Sequence, residues 1–170
     1  MPVNQKPHIH EFIVCANIFV KKNGTYLMLK RSPLKKYAPN VVHPIGGKVD
    51  ADENPYQAAN REVFEEAGVK MNNLKLEACI LEIAPHKNEP HNWLIFHFSG
   101  DWASGKIKTT EEGEFIWLKP SKISKHLLFP SVREAIKHII NPHDGTVFMT
   151  CHYNKEKTNI IKRVKNLCVV

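Results

Sequence analysis

The feature that most constrains this chain lies at residues 46–69, GGKVDADENPYQAANREVFEEAGV. Asn54 can cap a helix, Pro55 suits the first helical position, and Gln57 stands three residues after the cap, as in a capping box. Gly68 is a natural stop, because glycine tolerates the left-handed conformation past a helix end. Tyr56, Ala59, Val63 and Ala67 recur at helical spacing and predict one apolar face. Glu62, Glu65 and Glu66 stand at i, i+3 and i+4 on another face, so their side chains are neighbours. At an effective dielectric of about 20, two carboxylates ~5 Å apart repel by roughly 3 kcal/mol. Only Arg61 and Lys70 are near in sequence. Taken alone, the cluster reads as a solvated acidic face or as a seat for a cation. Oxygen-only ligands favour magnesium, with manganese as a substitute, over zinc.

The spacing around the cluster decides between those two. From Gly47, five residues lead to Glu53 and seven more to Arg61-Glu62-Val63-Phe64-Glu65-Glu66-Ala67-Gly68-Val69. Every fixed position matches the Nudix box, G-x5-E-x7-R-E-U-x-E-E-x-G-U, where U is aliphatic. The chain thus resembles the Nudix hydrolases. That resemblance implies an α/β fold, the Nudix αβα sandwich with a mixed β-sheet. It implies magnesium-dependent hydrolysis of a nucleoside diphosphate linked to another group. Glu62, Glu65 and Glu66 match the family's metal-binding glutamates, and the carbonyl of Gly46 matches a backbone metal ligand. Glu53 and Arg61 match positions that brace the loop onto the helix, where an arginine can grip a carboxylate in bidentate geometry. The family also draws a carboxylate from a later loop. Glu111, Glu112 and Glu114 in TTEEGEFIWL are the candidates, and Glu112, five residues before Trp117, has the best spacing. For the general base, Glu62 comes first and Glu112 second.

With 170 residues the chain is long enough for one domain with a real core, so 1–170 is expected to be a single unit. Cys15, Cys79, Cys151 and Cys168 show no close pairing and read as reduced thiols, which with the lack of an apolar leader or membrane-length run predicts a cytoplasmic protein. A net charge of +7 suits a small polyphosphate drawn in by the field. No RNA-binding signature or dense basic block points to a nucleic acid polymer. The expected partner is a small nucleotide, with no membrane partner and the oligomeric state open.

Strands are expected at Glu11 to Val20, Thr25 to Lys30, Leu74 to Ile83, Trp93 to Phe98 and Glu114 to Leu118, with Asn23-Gly24 as a hairpin turn. Ser32 to His43 reads as a polar, basic connection, and Pro85 to Pro90 as a loop. Ser131, with Glu134 three residues on, is expected to cap a second helix whose stripe is Val132, Ala135, Ile136, Ile139 and Ile140, stopped by Asn141-Pro142. A terminal hairpin is expected at about 146–165, its basic strand a solvated edge.

The substrate is less constrained. The box and the hairpin after a helix resemble the bacterial branch acting on oxidised purine nucleoside triphosphates such as 8-oxo-dGTP. The chain departs from it twice. His43-Pro44-Ile45 stands where relatives often carry Asn-Gly, and Phe129-Pro130-Ser131-Val132 stands where animal enzymes carry Trp-Pro-Asp-Asp, whose acids read the base edge. Pro85 resembles a proline of the ADP-ribose branch, or is simply a turn residue. Trp93, Trp102 and Trp117 alternate with strand residues and are expected in the core, and the ten histidines show no metal spacing. The expected product pair is a purine nucleoside monophosphate and pyrophosphate. ADP-ribose or another nucleoside diphosphate derivative is the alternative, and a non-catalytic nucleotide-binding module is a third reading.

Overall fold

The computed structural model describes residues 11–141 and 143–168. In chain order it contains β1 (Phe12–Lys22), β2 (Thr25–Arg31), β3 (Val42–His43), β4 (Ile45–Lys48), α1 (Pro55–Glu62), a π-helical turn (Val63–Ala67), β5 (Val69–Ile83), β6 (Asn92–Gly105), β7 (Gly113–Leu118), α2 (Pro120–Ile123), α3 (Pro130–Ile139), β8 (Thr146–Tyr153) and β9 (Ile160–Cys168). Among the described residues these strands form one mixed sheet, in the order β3-β2-β1-β6-β5-β8-β9, with β4 on β1 and β7 on β2. β1 runs parallel to β6, and β5 runs parallel to β8; the other pairs are antiparallel. Asn23 and Gly24, at φ 48° and 72°, supply the left-handed backbone that the tight β1–β2 turn needs.

Strand alternation sends side chains to two cores, one on each face of the sheet. Ala16, Ile18 and Val20 of β1 pack with Ala58, Ala59, Val63 and Ala67 of the first helix. Phe19 of β1 joins Ala78 and Ile80 of β5 and the Val132, Ala135, Ile136 and Ile139 stripe of α3. Helices on both faces of a mixed sheet make the αβα sandwich.

Several expectations shift. β5 and β6 are much longer than their apolar stretches, because polar residues of one are hydrogen-bonded to the other across irregular register. Within the polar connection, Val42–His43 pairs with β2, and the glycine pair itself is strand β4. The final strand begins at Ile160 rather than Thr158. Ser131 is not a cap: Pro130 opens α3, Phe129 holds the cap position without a side-chain bond, and Ser131 is buried inside the helix. Proline fits the first turn because its missing N–H has no partner there anyway. Tyr56 is exposed and meets Phe98 edge-on, while Ala58 is buried in its place. All four cysteines are free.

Candidate active site

The capping box forms as its sequence implies. Asn54 accepts from the N–H groups of Tyr56 and Gln57, and the Gln57 side chain accepts from Asn54 N–H. The helix then departs from 3.6-residue periodicity. Its α part ends at Glu62, and Glu65 and Glu66 lie on the wider π turn, closed by Gly68 at φ 70°. Single π turns recur at functional sites.

Arg61 organises the acidic face. Its Nε donates to both Glu53 oxygens at 3.2 and 3.1 Å, and its Nη2 donates to Glu53 at 2.5 Å and to the Lys48 carbonyl at 3.1 Å. Its Nη1 donates to Glu62 at 2.9 Å and Glu65 at 3.1 Å. One guanidinium therefore ties the β4 end and the loop to the helix and offsets repulsion among the carboxylates. The Arg61 bonds hold the Glu53 carboxyl below its ordinary range, and Glu53 above all stabilises the arginine's charge.

Glu66 is the acid that Arg61 does not reach. Gly46 N–H bonds one of its oxygens, while Oε2 is buried without a partner. Burial first, then the neighbouring Glu62, pushes its carboxyl up to about 7. Burial also raises Glu62. The glycine pair is a steric requirement. A Cβ on Gly47 would overlap the Glu62 carboxylate, and one on Gly46, at φ 152°, would overlap the Ala16 carbonyl.

Glu112 precedes β7 and is pulled below its ordinary carboxyl range by Lys35, whose Nζ lies 2.5 Å away. It acts electrostatically on Glu66 and His43, so the loop does bring it toward the box. Glu114 opposes Lys30 across β2 and β7. Among the described residues no three His, Cys, Asp or Glu side chains converge as a ready ligand set, since Arg61 and Lys35 hold most of the carboxylates. The donor chemistry nonetheless fits a hard cation: crowded carboxylates, an orphaned buried oxygen on Glu66, and a backbone that approaches without a Cβ.

Beside the glycine pair opens a cleft of about 330 Å³. Tyr37 and Phe129 stack on its wall, ring centroids 6.1 Å apart and 18° from parallel. His86 meets Tyr37 at 5.5 Å and Trp93 at 5.0 Å, both edge-on. Trp93, expected in the core, thus lines the cleft, and its Nε1 is buried without a partner. Arg31, Lys48 and Lys157 supply cationic lining. His43 bonds the Pro44 carbonyl through Nδ1 at 2.7 Å, and burial pushes its pKa down to about 4. A neutral ring donating from Nδ1 leaves Nε2 as an unpaired acceptor. Cys15 also lines the cleft, with burial raising its thiol to about 12, which keeps it protonated and unreactive. Pro85 and the Phe129-Pro130-Ser131-Val132 segment line it too. Tyr37, His86 and Phe129 were not legible as site residues. Tyr37 sits in a polar connection, and only the substitution at 129–132 marked its segment.

Comparison with known proteins agrees with this geometry. The NUDIX domain profile matches residues 11–139. The chain is 28% identical over 126 residues to a protein of Pseudomonas aeruginosa named NAD-capped RNA hydrolase NudC, covering 73% of this chain and 41% of that one. It thus spans about two fifths of that relative's length. It is 29% identical over 125 residues to the 8-oxo-dGTP diphosphatase of Buchnera aphidicola subsp. Schizaphis graminum, covering 74% of this chain and 89% of that one. The mutator MutT protein of Bacillus halodurans superposes with a TM-score of 0.77 at 19% identity, over 91% of this chain and 98% of that one, and so shares the fold. With its complete box folded into a braced acidic helix and the domain profile matched over most of its length, the chain belongs to the NUDIX domain family.

Proposed function

We propose that this protein cleaves a purine nucleoside triphosphate to the monophosphate and pyrophosphate, with magnesium or manganese as cofactor. The observation that carries this reading is the continuity of two chemistries at Gly46 and Gly47. The acidic helix lies against the glycine pair, and the aromatic, partly cationic cleft opens beside it. A nucleotide has the matching halves, a polyphosphate and a flat base. Aromatic faces stack bases, and cationic lining attracts phosphates. The unpaired Trp93 Nε1 and His43 Nε2 are a buried donor and acceptor that a polar ligand would satisfy.

In this mechanism Glu62, Glu65, Glu66, the Gly46 carbonyl and Glu112 would hold the cation. Once bound, it neutralises charge developing on the phosphates and helps align an in-line attack. Arg61 and Glu53 keep the loop and helix in one geometry, and Arg31, Lys48 and Lys157 draw the polyphosphate in. Glu62, or failing it Glu112, takes the proton of the attacking water.

A panel of nucleoside triphosphates, oxidised and ordinary, and of nucleoside diphosphate derivatives tests the reading. Pyrophosphate release from purine triphosphates, abolished by EDTA and restored by magnesium, is expected. Orthophosphate release, or equal activity in a metal-free sample, would reject it. A second reading, hydrolysis of ADP-ribose or a related derivative, draws on Pro85 in the cleft and on the relative named for NAD-capped RNA. A nucleotide attached to RNA therefore belongs in the panel.

A further inference from the structure

The cleft wall holds an acid that phosphoryl chemistry does not use. Glu82 stands near the end of β5, only 5% exposed, and lines the cleft beside Ser131 and Tyr153. Ala78, Ile80 and Glu82 share strand parity, and the first two are core residues against α3. An apolar side chain is the ordinary occupant of such a position. A buried carboxylate there costs free energy unless hydrogen bonds offset it. Two do: the Tyr153 hydroxyl donates to Oε1, and the Ser131 hydroxyl also bonds the carboxylate. Burial leads and raises the carboxyl above its ordinary range; both bonds and nearby His86 push the other way, and N–H donors from a ligand would add to them.

The result is an acceptor group on the wall of a base-sized cleft with aromatic rings around it. A carboxylate offers about four lone-pair sites, so two hydroxyls do not exhaust it. What it lacks is N–H donors. Guanine carries two kinds side by side on its Watson–Crick edge, N1–H and the N2 amine. Adenine shows an amine beside an acceptor nitrogen. Reading a base by that edge while stacking its faces on aromatic side chains is a general recognition mode. The acid reaches the cleft wall from β5, and Ser131 supports it from α3.

We propose that Glu82 is the base-reading residue of this cleft and selects nucleotides whose base presents adjacent N–H donors, guanine before adenine. The inference rests on the nucleotide reading above and names its base. Ser131 and Tyr153 act through Glu82 as positioning residues. They spend their own protons on the carboxylate, which leaves the acceptor side to the ligand.

The test is calorimetric binding, in EDTA, of the 5′-monophosphates of guanosine, inosine, 1-methylguanosine and adenosine to the whole chain. Guanosine should bind at least ~10-fold tighter than the others, the range for a bidentate base contact. Inosine lacks the amine, and 1-methylguanosine lacks N1–H. In Glu82→Gln the guanosine preference over adenosine should collapse, because an amide presents a donor beside an acceptor. If that variant does not fold, the analogue series on the native protein decides alone. Equal binding of guanosine, inosine and 1-methylguanosine, a preference for adenosine, or an unchanged preference in a folded Glu82→Gln would overturn the inference. Indifferent binding with triphosphates still hydrolysed would leave the nucleotide reading standing. Binding of no nucleotide, with no hydrolysis, would overturn both.

Discussion

The acidic helix and the aromatic cleft meet at one glycine pair, yet they are assembled in opposite ways. The helix face comes almost entirely from residues 46–69, with Arg61 linking four of its members over short sequence distances. The cleft gathers Tyr37, Glu82, His86, Trp93, Phe129 and Tyr153 from the β2–β3 connection, β5, the loop after it, β6, the approach to α3, and β8. Their electrostatics also oppose. The helix crowds carboxyls together, and burial and mutual repulsion resist the ionisation of Glu62 and Glu66, whereas the cleft is aromatic with scattered cations. The contrast teaches a division of labour. In the proposed function, chemistry falls to a local, heavily braced motif, and recognition to a region where long-range packing can change the lining without disturbing that motif.

The largest expected effect falls on the helix. Glu66→Gln should lower turnover by at least ~1,000-fold, the several kcal/mol a bound cation supplies. Its melting temperature in EDTA should be no lower than that of the native protein, because a strained buried carboxylate becomes a neutral isostere. A sharp drop in melting temperature would instead make Glu66 a structural residue. Next comes Glu112→Gln, at roughly 100-fold in catalytic rate, the lower range for a lost general base or its metal. Glu111→Gln and Glu114→Gln should stay near the native rate. If Glu114→Gln is the impaired variant, the assignment is displaced by two residues.

Cleft variants should behave differently in kind. Tyr37→Ala and Phe129→Ala should each raise KM about tenfold, the scale of a lost base–aromatic stack, with kcat much less affected. Steady-state kinetics on the preferred triphosphate checks this. A collapse in kcat comparable to that of Glu66→Gln would erase the proposed division between the two regions.

The smallest effect lies behind the cleft and concerns stability. Alternation along β6 puts Trp93 and Ile95 on the cleft, while His97 is fully buried against Phe19 with neither ring nitrogen paired. Burial pushes its pKa down to about 3. The unfolded chain, near 6.5, takes up the proton first, so stability falls as pH drops below 6.5 toward 3. Between pH 7 and 5 this amounts to about 2 kcal/mol from His97. Urea unfolding at the two pH values should show that loss, and His97→Leu should lose correspondingly less. Equal losses in both proteins would place the titration elsewhere.

What the sequence determined alone is the part whose interactions are local. A cap, a proline, a stop glycine and spaced glutamates declare a helix, because helical contacts join residues three to four positions apart. Strand positions were legible from apolar runs for the same reason, although their ends were not. Residues 69–73 and 101–105, which mix polar and apolar side chains without a strand-like run, pair with each other as strand. The π turn, the Lys35–Glu112 pair and the place of Ser131 inside α3 left no periodic trace. The cleft left least of all. Tyr37 and Phe129 are 92 positions apart in sequence and stack only after β2, β3 and α3 have packed. Glu82 looks like one more polar residue in a strand until Tyr153, 71 residues on, closes over it. Tertiary structure alone decided these, because a contact between distant positions is set by how layers pack and not by the spacing of residues along the chain.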